Sequence, residues 1–146
     1  MASRLYNAGL SEIMNGGIVL LTDTIKVMLV SPTYTFDPDH AFVSSVNTWE
    51  LSGTGYVSGF GGGGRQALSS KTVTKDLVND KAFFDAADLV WTSINAGTIG
   101  WCILIKEITN DAASKLIAAL DPVDYATTGA NVTVSWATTG IFEFVS

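Results

Sequence analysis

Alternation of apolar and polar positions is clearest near the C-terminus, in residues 131–136. Val132, Val134 and Trp136 occupy every second position, and polar Asn, Thr and Ser residues lie between them. Successive side chains of a β-strand point to opposite faces of its sheet. The pattern therefore predicts a half-buried strand whose three apolar residues face the core.

One longer apolar stretch, near residue 100, has no polar face. Trp101, Ile103 and Ile105 would share one face of a strand, and Cys102 and Leu104 make the other face apolar as well. Strands of this kind are covered on both faces. We expect the core to cover one face and consider a neighbouring subunit as a possible cover for the other.

The N-terminal segment has the spacing of a helix. Tyr6, Leu10, Ile13 and Met14 fall on one helical face, and a glycine pair follows them. A glycine is a common helix terminator because it adopts left-handed backbone angles readily. These features predict a short N-terminal helix over about residues 3–16.

The other apolar segments have the length and the turn boundaries of β-strands. They lie at residues 24–30, 66–73, 82–85, 88–92, 98–106, 115–120, 131–136 and 141–145. About eight short strands with few helices between them predict a mainly β chain. We expect one domain, residues 1–146, built as an antiparallel β-sandwich or jelly roll.

A glycine-rich loop interrupts the predicted strands at residues 59–64. Arg65 and Gln66 follow the glycines, at positions where a phosphate-binding loop requires Lys and Ser or Thr. The preceding segment, residues 53–58, lacks the third glycine of a dinucleotide-binding fingerprint. We therefore expect a mobile connector and no bound cofactor.

Four residues near this loop are of types that are enriched at protein interfaces. They are Trp49, Tyr56, Phe60 and Arg65. Aromatic and arginine side chains often dominate binding energy, whereas a loop made almost entirely of glycine has few side chains with which to order itself. We predict that these four residues contact another subunit or a partner protein.

Composition indicates a folded chain that associates with copies of itself. Hydrophobic residues make up 47% of the sequence and charged residues only 15%, and the mean hydropathy is +0.32. Such a chain has little polar cover for the surface of a monomer, which favours subunit contacts. The net charge of −6 argues against binding to a phosphate backbone, so we expect no nucleic-acid partner. No apolar run is long enough for a signal peptide or a membrane span, so we expect no membrane insertion.

Few residues could support catalysis or bind a metal. His40 and Cys102 are the single histidine and cysteine, and Cys102 lies in an apolar run where a small core residue is expected. Asp85 and Asp88 could act as an acid and base pair, but turn chemistry explains them more simply. The acidic segment 37–40 lacks the spacing of a calcium loop. We expect a protein that is not an enzyme, with no catalytic, cofactor or metal site.

Several short motifs follow one another in a fixed order over nearly the whole chain. They are Leu5–Leu10, Thr22–Val30, Asp37–His40, Ser52–Tyr56, Phe84–Asp88, Trp91–Thr92, Ile105–Lys106, Leu116–Ala118 and Trp136–Ile141. In this order they resemble a family of small structural proteins of tailed-phage virions. The glycines at residues 59–64 depart from the pattern of the family, in which the chain runs more directly into the next strand.

The resemblance implies a capsid decoration protein, also called a cement protein. Such a protein binds the outside of a phage head, is commonly a homotrimer and stabilises contacts between subunits of the major capsid protein. The resemblance places the chain on the virion exterior after synthesis in the bacterial host cytoplasm. Three alternatives remain: a tail or baseplate component, a carbohydrate-binding module that uses Trp49 and Tyr56, and an enzyme that uses Asp85 or Asp88.

Overall fold

The computed structural model describes residues 1–146 and confirms a mainly β chain with one α-helix near the N-terminus. The elements are β1 (Ala2–Leu5), α1 (Asn7–Asn15), β2 (Ile25–Val30), β3 (Gln66–Ala67), β4 (Thr72–Asp76), β5 (Lys81–Asp85), β6 (Leu89–Trp91), β7 (Thr98–Ile99), β8 (Trp101–Lys106), β9 (Lys115–Asp121), β10 (Tyr125–Ala126), β11 (Val132–Val134) and β12 (Phe142–Val145). Two short 3₁₀ turns lie at Val43–Ser45 and Asn47–Trp49. No helix of the structure has the length and hydropathy needed to cross a lipid bilayer.

The largest sheet has five strands in the order β1-β9-β8-β2-β3. At its centre β2 and β8 pair in antiparallel register, with Val27 opposite Leu104 and Met28 opposite Ile103. Eight of their twelve residues are Val, Ile, Leu or Met, and the β-branched residues among them suit a pleated surface that is packed on its neighbours. These two strands form the centre of the fold.

Both faces of this sheet are buried, as the apolar stretch near residue 100 predicts. Val27 and Leu104 belong to the larger core on one face. Met28 and Ile103 belong to a second core on the other face, where residues of the segment 31–49 cover them. The cover on this second face comes from the same chain, so no neighbouring subunit is required there.

Three smaller sheets lie on the side of the larger core. Their strand orders are β12-β5-β4, β11-β6 and β10-β7. Phe84 of β5, Trp91 of β6 and Val134 of β11 are buried in the same core as Val27 of β2. Two β layers around one core form the sandwich arrangement that the strand pattern predicts. Trp136 packs against this core, as predicted, but is only half-buried.

The N-terminal helix is shorter than the predicted range of 3–16. It begins at Asn7, and the residues before it form β1, which pairs with β9. The helix approaches β9 closely at Gly9, where an added Cβ atom would lie 2.5 Å from the carbonyl oxygen of Leu116. Met14, which the helical spacing places on the inner face, is 80% exposed. The prediction for Met14 is therefore wrong: Met14 lies in the last turn of the helix, before the terminating Gly16, and its side chain points away from the core.

Two of the predicted strands are interrupted. The predicted strand 66–73 is split into β3 and β4, and Ser70 between them has a left-handed backbone with φ of 51°. The predicted strand 98–106 is split into β7 and β8 at Gly100, where an added Cβ atom would lie 2.3 Å from the Cα atom of Pro32. Together with β1 and β10, which the sequence patterns do not indicate, these breaks give twelve strands.

Candidate functional site

Arg65 lies at the centre of a buried cluster of charged side chains. Its Nε and Nη2 atoms donate to the two carboxylate oxygens of Glu50 at 2.8 and 2.7 Å. Its Nη1 atom donates to Oδ1 of Asp111 at 2.7 Å. The side chains of Arg65 and Glu50 are only 2% and 1% exposed. This two-pronged geometry matches the planar guanidinium group to a carboxylate and gives strong, charge-assisted hydrogen bonds.

The charged cluster extends to Lys26 and Glu107. Lys26 donates to Glu107, and Glu107 also lies 3.4 Å from Nη1 of Arg65. The cluster thus contains two cations and three carboxylates. Every buried side-chain nitrogen and oxygen in the structure has a hydrogen-bond partner. The cluster therefore connects β2, Glu50, Arg65 and the segment 107–111 without leaving a buried polar atom unpaired.

Tyr56 joins the same cluster from inside the fold. Its side chain is fully buried, and its hydroxyl group donates to Oε1 of Glu50 at 3.0 Å and accepts from the backbone N–H of Leu29 at 3.0 Å. Burial, together with the nearby charge of Glu50, raises the pKa of Tyr56 well above 10.0. The hydroxyl group therefore keeps its proton and remains a donor to Glu50.

Stability in acid should depend on Asp111. The hydrogen bond from Arg65 lowers the pKa of Asp111 below its ordinary 3.8, against the opposing effect of burial. A depressed pKa in the folded state contributes stability that is present above the unfolded pKa and is lost as the pH falls through the folded pKa. We expect Asp111→Asn to flatten the decline in free energy of unfolding below about pH 4, measured by urea titration. Equal slopes for the two proteins would contradict this assignment.

The glycine loop, whose composition predicts a mobile connector, has hydrogen bonds at its base. Gly59 donates its backbone N–H to Oε2 of Glu50 at 3.1 Å. Gly64 donates to the carbonyl oxygen of Val57 at 2.9 Å and accepts from Nε1 of Trp91 at 2.7 Å. Residues 57–64 therefore form a closed loop, hereafter loop 57–64, which the charged cluster and the core hold at both ends.

The glycines of loop 57–64 should differ sharply in their tolerance of a side chain. A Cβ atom at Gly64 would lie 2.6 Å from the ring of Tyr56 and 2.7 Å from the carbonyl oxygen of Val57. A Cβ atom at Gly61 would meet no atom within 4 Å, although its φ of +73° is unfavourable for alanine. We expect Gly64→Ala to lower the free energy of unfolding by about 3 kcal/mol and Gly61→Ala by about 1 kcal/mol. Equal losses in urea unfolding would show that the base of the loop is not closely packed.

The structure separates the four residues predicted to form a contact. Tyr56 and Arg65 are buried, so they cannot contact a partner directly while the fold is intact and instead support the loop. Trp49 is half-buried and lies against Tyr34, with 5.4 Å between the ring centroids. Phe60 is 48% exposed. Of the predicted set, Phe60 is the side chain that loop 57–64 presents to the outside.

Loop 57–64 also presents a residue that was not among the predicted contacts. Val57 is 60% exposed, more than Phe60. The two exposed apolar residues belong to one loop whose base is fixed by Glu50. A fixed loop with exposed apolar side chains can bind a surface of complementary shape without first being ordered. This loop is the candidate contact site.

The residues considered for catalysis are engaged in local structure. Oδ1 of Asp85 accepts the backbone N–H of Ala86 at 2.9 Å, and Oδ1 of Asp88 accepts the backbone N–H of Trp136 at 3.1 Å. The Asp85 bond is a local contact of the kind that turn chemistry predicts, whereas the Asp88 bond joins residues 48 apart in the sequence. Cys102 is buried in the core, as predicted. Burial raises the pKa of its thiol to about 12, so the nucleophilic thiolate is scarce at neutral pH.

The acidic segment 37–40 has contacts within the chain as well. Oδ1 of Asp39 accepts from the amide of Asn7 at 2.7 Å, and Nδ1 of His40 shares a hydrogen bond of 3.1 Å with the hydroxyl group of Tyr34. The structure places no group of three His, Cys, Asp or Glu side chains where they could hold a metal ion.

The largest surface groove lies away from loop 57–64. It has a volume of about 580 Å³ and is lined mainly by residues 121–125 and 131–135. Asp121 is the one carboxylate in its lining. The groove therefore lacks the pair of carboxylates that glycoside hydrolysis uses.

Comparison of the chain with protein-family models, with curated proteins and with solved structures gives no match. Functional proposals for this chain therefore depend on its own residues and on the order of its motifs.

Proposed function

We propose that this chain is a non-enzymatic structural protein of a tailed-phage virion, which decorates the outside of the head and stabilises contacts between subunits of the major capsid protein. The observation that carries the proposal is loop 57–64, which exposes Val57 and Phe60 above a base fixed by the buried pair of Glu50 and Arg65. A loop that is already ordered loses less conformational entropy on binding than a mobile loop does. The order of the sequence motifs, which resembles that of tailed-phage virion proteins, suggests that the partner is a major capsid protein.

Decoration of a head also requires several copies of the chain to bind together. We propose a homotrimer, in which each copy makes a modest contact and simultaneous engagement raises the avidity by roughly 10²- to 10⁴-fold. Because the chain itself covers both faces of the main sheet, the trimer contact must use other surfaces. Several large apolar side chains outside the sheet are more than two-thirds exposed, namely Met14, Leu77, Val78, Val123 and Val145.

Binding to undecorated phage heads should depend on Phe60. Removal of a central aromatic contact commonly weakens a protein interface by more than 1 kcal/mol, so we expect Phe60→Ala to raise the dissociation constant about tenfold. Co-sedimentation with heads assembled from the major capsid protein of the same phage measures this change. The melting temperature should stay nearly unchanged, because the side chain of Phe60 is 48% exposed.

A matched control is provided by Phe144, which is 40% exposed on β12. Phe144→Ala removes the same kind of side chain outside the loop and should leave binding to heads unchanged. Equal weakening by both substitutions would contradict a role for loop 57–64. Wild-type binding to isolated tails with no binding to heads would favour the tail or baseplate alternative instead.

A further inference from the structure

The strand β4 forms an open edge of the three-stranded sheet β12-β5-β4. Its residues Thr72 to Lys75 are all exposed on both faces. The strand contains no proline and no bulge, the features that usually prevent an edge strand from pairing with another chain. Lys75 is its only exposed charged residue. Such an edge presents unpaired backbone N–H and C=O groups to a further strand.

The hydrogen-bond pattern of β5 shows which backbone groups of β4 face outward. The carbonyl oxygens of Asp80 and Phe84 accept from Ser146 and Ile141, on the side of β12. Backbone groups alternate in direction along a strand, so Phe83 directs its groups toward β4, where it lies opposite Thr74. By the same alternation, Val73 and Lys75 direct their N–H and C=O groups to the open edge.

A second copy of the same chain fits this edge in one register. Two identical antiparallel strands related by a twofold axis place residues opposite one another symmetrically about a central residue. An axis at Val73 would place Lys71 opposite Lys75, and an axis at Lys75 would place Lys75 opposite itself. Like charges directly opposite are destabilising. An axis at Thr74 avoids both conflicts and, unlike an axis at Thr72 or Asp76, pairs β4 over its whole length.

The register about Thr74 also satisfies the outward backbone groups. It places Val73 opposite Lys75 of the other copy, and these are the two residues whose N–H and C=O groups face the open edge. It also places Thr72 opposite Asp76, which pairs a hydroxyl donor with a carboxylate. We propose that two copies of this chain pair antiparallel through β4, with Thr74 on the twofold axis, to form one continuous six-stranded sheet.

This pairing is independent of the proposed role on phage heads, because it depends only on β4 and its neighbours. It is a twofold contact and is therefore distinct from the threefold contact of a trimer. A chain that forms both contacts could connect neighbouring trimers, whereas a chain that forms only the β4 contact would be a dimer.

Disulfide trapping tests the register directly. In the proposed pair the two Thr74 residues form a non-hydrogen-bonded pair with Cα atoms about 4.5 Å apart, which is within the range of a disulfide. Thr74→Cys should therefore form a covalent dimer under mild oxidation, seen on a non-reducing gel. The native Cys102 should not interfere, because it is buried.

Thr72→Cys is the matched control on the same strand. It changes the same residue type on the same face of β4, and it is equally exposed. In the proposed register the two Thr72 residues are about four residues apart along the strand, roughly 13 Å, which is too far for a disulfide. Equal trapping of both variants would overturn the register, and absence of trapping with Thr74→Cys would overturn the pairing.

Charges introduced at position 74 give a second test that does not depend on oxidation. Thr74→Lys and Thr74→Glu each place like charges on the twofold axis, so each variant alone should pair more weakly than the wild type. A mixture of the two should restore pairing, seen as an increase in mass by light scattering over that of either variant alone. Pairing of each variant at wild-type strength, or no recovery in the mixture, would contradict the proposal.

Discussion

Replacing Arg65 with alanine should lower the free energy of unfolding by about 3–5 kcal/mol, the range found when one partner of a buried ion pair is removed. The reason is the carboxylate left behind. Glu50 has a side chain that is 1% exposed and takes two hydrogen bonds from Arg65, so its charge would be buried without compensation. Urea unfolding followed by tryptophan fluorescence measures the loss.

Two further measurements distinguish loss of the charge pair from loss of volume. Arg65→Lys keeps the positive charge but cannot donate to both Glu50 and Asp111 with the same planar geometry, so we expect an intermediate loss. Arg65→Met keeps most of the side-chain volume but removes the charge, so its loss should be close to that of Arg65→Ala. A loss for Arg65→Met much smaller than that for Arg65→Ala would indicate that packing, rather than charge, accounts for the effect.

Trp91→Ala should destabilise the protein by about 3–5 kcal/mol, because a large side chain would leave a cavity in the core. Trp91 is only 1% exposed and belongs to the core between the sheets. Its Nε1 atom donates to the carbonyl oxygen of Gly64 at 2.7 Å, so the same substitution also releases one end of loop 57–64. Thermal and urea unfolding give the size of the effect.

Trp136 provides the comparison for Trp91. It also donates its indole N–H to a backbone carbonyl oxygen, that of Ala87 at 3.0 Å, but its side chain is only half-buried. Trp136→Ala should therefore cost less than Trp91→Ala, since less apolar surface is lost from the core. A larger loss for Trp136 would mean that its side chain is more deeply buried in the core than that of Trp91.

The sequence predicts the central strands well, because the apolar pattern within each of these segments is enough to indicate a buried strand. Val132 and Val134 are buried, as their alternation predicts. The apolar run of β8 is buried on both faces, as its lack of a polar face predicts. The strand boundaries are harder to predict from the sequence. The break between β7 and β8 falls at Gly100, which lies close to Pro32, and that contact joins residues distant in the sequence.

The charged cluster could not be predicted either, because it too depends on contacts between residues that are far apart in the sequence. Its residue type predicts that Arg65 contacts a partner, because arginine is enriched at interfaces. Its partners Glu50 and Asp111 lie 15 and 46 residues away in the sequence, and no local pattern indicates that they meet. Glu50, held by Arg65, also anchors the base of the glycine loop through the backbone N–H of Gly59. The partner contact itself stays a prediction, and Phe60 is the most exposed of the four residues named for it.

The most direct test of the proposed function is electron cryo-microscopy of undecorated phage heads incubated with the purified chain. We predict density for the chain on the head exterior, over junctions between subunits of the major capsid protein. Loop 57–64, with Val57 and Phe60, should face those subunits. Heads that stay bare at saturating protein concentration, or virions in which the chain occupies the tail or baseplate, would contradict the proposal.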